Sequence, residues 1–203
     1  MRIKVIEKRR KEVEEDCQKW ADEIEKEFVP DIVVFVADSG FLFGKAIAYA
    51  MDKPLYYVKA KRAGDKIKNK SNAIKKMIPM PIVKVIISSP LKFYLHGKNH
   101  ERNLIIPERL SELQDKNVRK ILLVDDAVDT GWSIKCAYDG LNKLFKGAEI
   151  KVAGYTVCDY SMKTFKTDYY RFFNKLVITA TSRKSDEYND FLNDLRVWNE
   201  EHG

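Results

Sequence analysis

Short runs of consecutive apolar residues divide the chain and predict its strands. The clearest runs lie at 32–37, 55–58, 121–124 and 150–157. Continuous apolar runs are typical of strands that are covered on both faces of a parallel sheet. Because helical patterns separate the runs, the order of elements predicts an α/β fold with a mostly parallel central sheet flanked by helices. Two further strand patterns lie at 81–87 and 176–180.

Apolar residues spaced three and four positions apart predict the helices. The predicted helices lie at 5–28, 41–51, 134–145 and 186–201. In the first helix, Val13, Trp20 and Ile24 form a stripe that we expect to face the core, whereas the last helix is largely polar. The length of 203 residues and the hydrophobic content of 45% predict a single domain over 1–203 with one substantial core.

The composition narrows the setting in which the chain works. Its formal net charge of +7 suits an anionic substrate. The apolar runs fall short of the roughly 18 residues that a membrane helix needs, and the first residues are too charged for a signal peptide. We therefore expect a cytoplasmic protein with no membrane partner. Cys17, Cys136 and Cys158 are odd in number and widely spaced, which is typical of reduced thiols rather than of a disulfide framework or a zinc site.

Two charged features outside the strands leave alternatives open. The segment 59–76 is dense in Lys and Arg, with Asp65 as its only acid. It is either a solvated basic loop or a surface that attracts a polyphosphate substrate. A nucleic acid is disfavoured as a partner because no aromatic residue interrupts the run to stack on bases. His96 and His100 are four residues apart, but no third ligand is evident, so a metal site there is disfavoured.

The stretch 121–134 combines an acid pair with a turn that opens a helix. The acids are Asp125 and Asp126, and the turn is Thr-Gly-Trp-Ser at 130–133. Acids at the carboxyl end of a buried strand lie where open α/β sheets bind ligands. The N–H groups at the start of a helix form a cradle for phosphate. Acids for sugar hydroxyls beside a phosphate cradle suggest a phosphorylated sugar as ligand, and an ordinary acidic turn between strand and helix is the alternative.

This stretch resembles the phosphoribosyl pyrophosphate (PRPP) motif of the type I phosphoribosyltransferases. In that motif an apolar run is followed by Asp/Glu-Asp and then by Thr-Gly-x-Thr/Ser. The resemblance implies that Asp125 and Asp126 bind the ribose hydroxyls, with Mg²⁺ held nearby directly or through water. It also implies a loop that binds the 5-phosphate, formed by Asp129, Thr130, Gly131, Trp132 and Ser133.

A second segment, 31–54, resembles the pyrophosphate-loop region of adenine phosphoribosyltransferases. An apolar strand, a short loop, Gly-Phe-Leu-Phe-Gly and a helix before Lys-Pro follow in the same order. The resemblance implies a pyrophosphate loop made of Ala37, Asp38, Ser39 and Gly40. The family has an arginine where this chain has Ser39, and Asp38 adds a negative charge. Lys45 and the segment 59–76 are the nearest cations in sequence that could offset this charge.

Asp129 adds a feature of a different class. Hypoxanthine-class enzymes have an aspartate at this loop position, close to N7 of the base. The resemblance therefore implies that Asp129 acts as a general base. Adenine-class enzymes usually lack this residue, so the chain combines features of both classes. A purine-like acceptor is favoured, without a decision between the purines.

The resemblance also implies how the rest of the chain is organised. A core over about 1–158 would include a mobile loop region at about 62–120, and 159–203 would form a variable C-terminal hood. In the hood, Phe172 or Phe173 could stack on a base or simply pack the hood onto the core.

We expect a Mg²⁺-dependent enzyme, a homodimer, that transfers a phosphoribosyl group from PRPP to a purine-like base and releases pyrophosphate. The first alternative is a regulatory protein that keeps the PRPP or nucleotide site with weak or no catalysis. The second is a doubly wound protein for another phosphorylated ligand.

Overall fold

The computed structural model describes residues 5–62 and 101–202, and within them eight strands and five α-helices form. The strands are β1 (Val5–Glu7), β2 (Ile32–Val36), β3 (Leu55–Arg62), β4 (Arg102–Ile105), β5 (Lys120–Val128), β6 (Glu149–Val157), β7 (Tyr169–Phe173) and β8 (Leu176–Ile178). The helices are α1 (Arg10–Glu25), α2 (Phe41–Ala50), α3 (Glu108–Ser111), α4 (Trp132–Leu144) and α5 (Tyr188–His202). A 3₁₀ turn spans Asp159–Lys163.

Six of the strands form the central sheet in the order β4–β3–β2–β5–β6–β7. All neighbours pair in parallel except β4, which runs antiparallel to β3 at one edge. The predicted α/β fold with a mostly parallel sheet is therefore confirmed. Strand β5 lies in the interior of the sheet, between β2 and β6. Open α/β sheets bind ligands at the carboxyl ends of their strands, and the carboxyl end of β5 lies in the middle of that side.

Alternate residues of the central strands fill two separate cores, one on each face of the sheet. In β2, Val33 and Phe35 face α1, α2 and α5, whereas Ile32 and Val34 face α3 and α4. Every side chain of β2 is buried. Complete burial of an aliphatic side chain stabilises a protein by about 1.5–3 kcal/mol. The continuous apolar run therefore reflects the helices on both faces.

The N-terminal prediction is wrong at its start. Val5–Glu7 is not helical but forms β1, which pairs in parallel with β8 in a separate two-stranded sheet. Helix α1 begins only at Arg10, where Glu12 accepts a hydrogen bond from the backbone N–H of Arg9. The partner strand of β1 is 171 residues away in register (176 − 5), so no local pattern could reveal it.

Several element boundaries differ from the predicted ones because neighbouring strands extend them. Strand β3 continues to Arg62 because β4 pairs with its second half. Strand β5 continues through both acids to Val128, and Asp125 lies opposite Gly154 of β6. Helix α4 starts at Trp132, two residues earlier than predicted.

Helix α5, which is largely polar in sequence, contributes three side chains to the core. Phe191, Leu195 and Trp198 are buried in the core. The Trp198 ring lies 5.2 Å from that of Phe35 and 5.5 Å from that of Phe41. These contacts attach the C-terminal helix to the sheet and to the helix that follows β2.

Some predictions fall outside the described residues. The strand at 81–87, the pair His96 and His100, and most of the basic segment 59–76 lie between 63 and 100. Among the described residues, no helix has the length and apolar character to cross a membrane. The three cysteines are free thiols.

Candidate active site

A cavity opens at the carboxyl ends of β2 and β5, where the segments 31–54 and 121–134 meet. Its volume is about 190 Å³. The lining residues come from the loop after β2, from β3, and from β5 and the turn that follows it. They are Val36, Ala37, Ser39, Ala60, Asp125, Asp126, Ala127, Val128, Asp129, Thr130, Gly131, Ser133 and Ile134. The fold thus brings together the acid pair, most of the predicted phosphate loop and part of the predicted pyrophosphate loop.

The acid pair is held within the strand rather than on a free loop. Asp125 is 7% exposed and Asp126 is partly buried. Asp125 Oδ1 accepts a hydrogen bond from the backbone N–H of Asp126 at 3.0 Å, and the Asp126 carbonyl accepts one from Thr156 Oγ1 at 3.0 Å. These contacts fix the backbone of both residues, so the carboxylates are preorganised at the cavity.

Burial makes ionisation of both acids unfavourable. Burial, followed by the charge of Asp126, raises the pKa of Asp125 well above its usual range. Burial and the charge of Asp129 raise the pKa of Asp126 to about 6. Two interacting carboxyl groups titrate as a coupled pair. Perturbed acids in a cavity are typical of functional sites, because a cation or hydroxyl donors from a ligand would relieve the electrostatic cost.

The turn before α4 has the geometry of an anion cradle. Gly131 caps the helix with φ = 79°, a left-handed conformation that glycine adopts without strain. It offers no side chain to the first N–H groups, and the first turn contains no acid. Trp132 and Ser133 are the first two residues of the helix, so their N–H groups are among those that a helix leaves unpaired. The positive end of the helix dipole therefore faces the cavity.

Replacing Gly131 should destabilise this turn beyond the cost of its backbone conformation. A Cβ there would lie 3.0 Å from the Ser161 carbonyl oxygen and 3.1 Å from Thr164 Cβ. Gly147 has a similar φ of 84°, but a Cβ there would contact nothing. We expect Gly147→Ala to lower the free energy of unfolding by about 1–2 kcal/mol and Gly131→Ala to lower it more. Urea denaturation of both variants measures the difference. Equal losses of unfolding free energy would show that the close approach of the added Cβ to Ser161 and Thr164 costs nothing.

The loop after β2 approaches the sheet closely. The Ala37–Asp38 peptide bond is cis. A Cβ on Gly40 would lie 2.5 Å from the Val36 carbonyl oxygen, so only glycine fits at the start of α2. Asp38 is exposed, and its Oδ1 lies 2.7 Å from Lys59 Nζ of β3. Lys59 therefore offsets the extra negative charge that the sequence places in this loop.

Lys45, the other cation considered from the sequence, lies elsewhere. Its Nζ is 5.5 Å from the centre of the Phe41 ring, and it lines a groove between α1, α2 and α5. Because a helix displays successive residues around its axis, proximity in sequence to the loop did not place Lys45 in the cavity.

Asp129 stands at the rim of the cavity and is exposed to solvent. Its Oδ1 lies 3.6 Å from the thiol of Cys158, which follows β6. The backbone N–H of Cys158 donates to the Val128 carbonyl at 3.1 Å. Asp129 is thus held at the end of β5 with its carboxylate accessible to a ligand.

The family model for the phosphoribosyl transferase domain matches residues 8–184. This match covers most of the chain and includes both loops of the cavity. The chain belongs to the phosphoribosyl transferase domain family. The predicted enzyme class, a phosphoribosyltransferase that transfers a phosphoribosyl group from PRPP to a base, is therefore confirmed. No curated protein matches the chain.

Solved structures, including two that are named as phosphoribosyltransferases, share this fold at low sequence identity. A purine phosphoribosyltransferase from Pyrococcus horikoshii is 15% identical, with a TM-score of 0.59 over 90% of this chain and 97% of its own. The xanthine-guanine-hypoxanthine phosphoribosyltransferase of Helicobacter pylori is 13% identical, with a TM-score of 0.61 over 95% and 99%. A hypothetical protein from Neisseria gonorrhoeae with bound ppGpp is 12% identical, with a TM-score of 0.55 over 95% and 97%.

In this phosphoribosyltransferase, the two aromatic residues considered for base stacking have different environments. The Phe172 ring lies 5.2 Å from that of the buried Tyr155, so Phe172 packs β7 against the core. Phe173 is 39% exposed and ends β7 opposite Val157. Of the two, only Phe173 presents its ring to solvent at the edge of the sheet where the cavity opens.

Sequence reasoning missed one side chain at the phosphate loop. Arg102 of β4 approaches Ser133, with 3.5 Å between Nε and Oγ. Its strand was not predicted, because four residues at a sheet edge give too short a pattern. The sequence Arg-Asn-Leu-Ile at 102–105 has no alternation of polar and apolar residues, so it held no signal for this strand.

Proposed function

We propose that this phosphoribosyltransferase is Mg²⁺-dependent, acts on a purine base and releases pyrophosphate. The observation that supports this most directly is the pairing, in one cavity, of one buried and one partly buried acid with a helix N-terminus that has no side-chain cap. Ribose hydroxyls need acceptors and a phosphate needs N–H donors, and the cavity supplies both. Only Ala127 and Val128 separate the second acid from the loop in sequence, and both features line the same cavity, which suits one phosphorylated sugar.

Asp125 and Asp126 would accept hydrogen bonds from the ribose hydroxyls. As the bond from C1 to pyrophosphate breaks, positive charge develops on the sugar ring. Two carboxylates on one side of the ring favour that charge, and since they are preorganised they do so without rearrangement. The N–H groups of the 129–133 loop would hold the 5-phosphate and fix the position of the ring.

The residues present fit a magnesium ion that is held mainly by its substrate. Carboxylate oxygens are the protein ligands that Mg²⁺ prefers, and it usually keeps waters and substrate phosphates as further ligands. The described residues contain no group of three or more acids, cysteines or histidines placed to bind a metal by themselves. When bound with PRPP, the ion would neutralise the leaving pyrophosphate. Asp125 and Asp126 would hold it, directly or through water.

Asp129 would act as the general base for the incoming nitrogen. Its carboxylate is exposed at the cavity rim, where the base must enter to reach C1 of the ribose. Phe173 is an exposed aromatic surface on which such a base could stack. A purine acceptor is further supported by the names of the Pyrococcus horikoshii and Helicobacter pylori proteins, which share the fold. A homodimer in the cytoplasm stays a prediction.

The direct test is incubation with PRPP, Mg²⁺ and a panel of bases that includes adenine, hypoxanthine, guanine, xanthine and pyrimidines. We expect pyrophosphate release with at least one purine and loss of that release in the presence of EDTA. Release with a pyrimidine alone would contradict the purine assignment. Release that persists without divalent metal would contradict the magnesium requirement.

The altered pyrophosphate loop predicts a gain of affinity from one substitution. Ser39 lies in the cavity wall where the family has an arginine, and Asp38 beside it already occupies Lys59. Ser39→Arg would add a guanidinium that can donate two hydrogen bonds to a phosphate. We expect tighter PRPP binding, by roughly tenfold, and higher turnover. Titration of both proteins at fixed Mg²⁺ and salt decides the matter.

A neutral substitution at the same position provides the control. Ser39→Gln adds similar length without charge and should leave PRPP affinity nearly unchanged. Equal or weaker binding by Ser39→Arg would mean that this loop is shaped for another phosphate ligand rather than for the pyrophosphate of PRPP.

A further inference from the structure

The edge strand β4 places an arginine at the phosphate loop, although 30 residues separate Arg102 from Ser133 in sequence. In β4, side chains alternate between partly buried and exposed. Arg102 and Leu104 therefore share the face that packs on α4. The Arg102 guanidinium reaches the first turn of that helix through Nε, and its Nη1 donates a hydrogen bond to the Glu101 carbonyl oxygen at 3.0 Å.

The packing of β4 on α4 fixes this placement. A Cβ on Gly140 would collide with the side chain of Leu104, so a glycine in the middle of the helix lets the strand approach closely. The thiol of Cys136 lies 3.7 Å from the Arg102 carbonyl oxygen, close enough for a weak hydrogen bond. Two contacts along α4 thus hold the backbone of Arg102 beside the start of the helix.

The guanidinium of Arg102 and the start of α4 lie side by side. Arg102 Nε lies 3.5 Å from Oγ of Ser133, the second residue of α4. Cations are disfavoured at a helix N-terminus, where the dipole is positive, and anions are favoured there. A phosphate between the guanidinium and the helix N–H groups would convert this repulsion into attraction from both sides.

We propose that Arg102 binds the 5-phosphate of the substrate together with the 129–133 loop, and so makes the site selective for phosphorylated ribose. This inference rests on the proposed function, in which that loop holds the 5-phosphate. Arginine suits the role because its planar guanidinium donates two parallel hydrogen bonds to phosphate oxygens. Lysine at the same place would keep the charge but lose the second hydrogen bond.

The test measures the affinity of ribose 5-phosphate and, separately, of pyrophosphate at fixed Mg²⁺ and salt. Pyrophosphate probes the other end of the cavity, near Ser39. We expect Arg102→Gln to bind ribose 5-phosphate about 10- to 100-fold more weakly and to bind pyrophosphate as the wild type does. Arg102→Lys should be intermediate. The control is Arg119→Gln. Arg119 lies just before the amino end of β5, at the opposite end of this strand from the cavity, and its side chain donates a hydrogen bond to Asn117. It should match the wild type.

Four results would overturn the proposal. Unchanged ribose 5-phosphate affinity in Arg102→Gln would show that the arginine does not touch the phosphate. Equal loss for both ligands, or a lower melting temperature without ligand, would show a general electrostatic or structural role. In these three cases, PRPP turnover by the wild type would leave the proposed function intact. A wild type that binds neither PRPP nor ribose 5-phosphate would overturn the proposed function as well.

Discussion

Replacing Asp125 and Asp126 together by asparagine should abolish turnover of PRPP and leave the fold intact. Both side chains line the cavity, and Asp125 is 93% buried (100 − 7) at the end of the core part of β5. Asparagine keeps the shape and can still accept the hydrogen bond from the backbone N–H of residue 126. The loss of two negative charges near the sugar removes the field that favours positive charge in the transition state. We expect turnover to fall by at least about 10²–10³-fold, as measured by pyrophosphate release with the best base.

The same variant should be more stable than the wild type, in a pH-dependent way. Burial raises the pKa of both carboxyl groups, to about 6 for Asp126. An acid whose pKa is higher in the folded state binds its proton more tightly there. Folding is therefore favoured below the unfolded pKa, near 4, and that advantage disappears as the pH rises through the folded value. As the pH rises through the folded pKa of Asp126, about 6, charge appears in a desolvated site that stays neutral in the asparagine variant.

Melting temperatures at pH 4 and pH 7.5 test this directly. We expect the asparagine variant to exceed the wild type at pH 7.5 and the difference to shrink at pH 4. Asp22→Asn with Asp115→Asn, two exposed acids outside the cavity, is the matched control and should show neither effect. Unchanged PRPP affinity and turnover in the cavity variant would contradict the role proposed for the acid pair.

The parts of the site that could be predicted from sequence are those encoded locally. Strand β5, its acids and the turn into α4 lie within one short stretch, and the apolar run, the acids and the glycine each have a direct physical meaning. The structure places this stretch around one cavity with Ser39 from the loop after β2. The chemical roles of these residues stay predictions.

What the sequence did not reveal depends on pairing between distant residues. Strand β1 looks like the start of a helix, because its partner β8 is supplied by the other end of the chain. Strand β4 is too short to stand out, yet it extends β3 and brings Arg102 to Ser133. The sequence offered Lys45 and the basic segment 59–76 as cations that could offset the charge of Asp38. In the structure Lys59 pairs with Asp38, whereas Lys45 lies elsewhere. Pairings of this kind depend on sheet order and helix rotation, which hydrophobic periodicity leaves open.

Replacing Asp129 by alanine should reduce turnover far more than it reduces PRPP affinity. The carboxylate stands at the cavity rim, exposed to solvent, whereas the acids that would hold the sugar lie deeper in β5. A general base acts on the incoming base in the transition state, so its removal should lower kcat and leave ground-state binding of PRPP nearly unchanged. The typical contribution of such a group is about 10²–10⁴-fold in rate.

Steady-state kinetics with the best base, together with a PRPP titration, separate this role from a structural one. Asp129→Asn should lose activity almost as Asp129→Ala does, because asparagine keeps the size and hydrogen-bonding capacity of the side chain but accepts no proton. Asp139→Asn is the control, since Asp139 lies on the same helix–loop unit and pairs with Lys135 at 2.8 Å. It should behave as the wild type. If Asp129→Asn retains full turnover while Asp129→Ala does not, the carboxylate shapes the phosphate loop and another group must take the proton. If both variants lose PRPP affinity in proportion to turnover, Asp129 contributes to the binding of PRPP rather than to the chemical step.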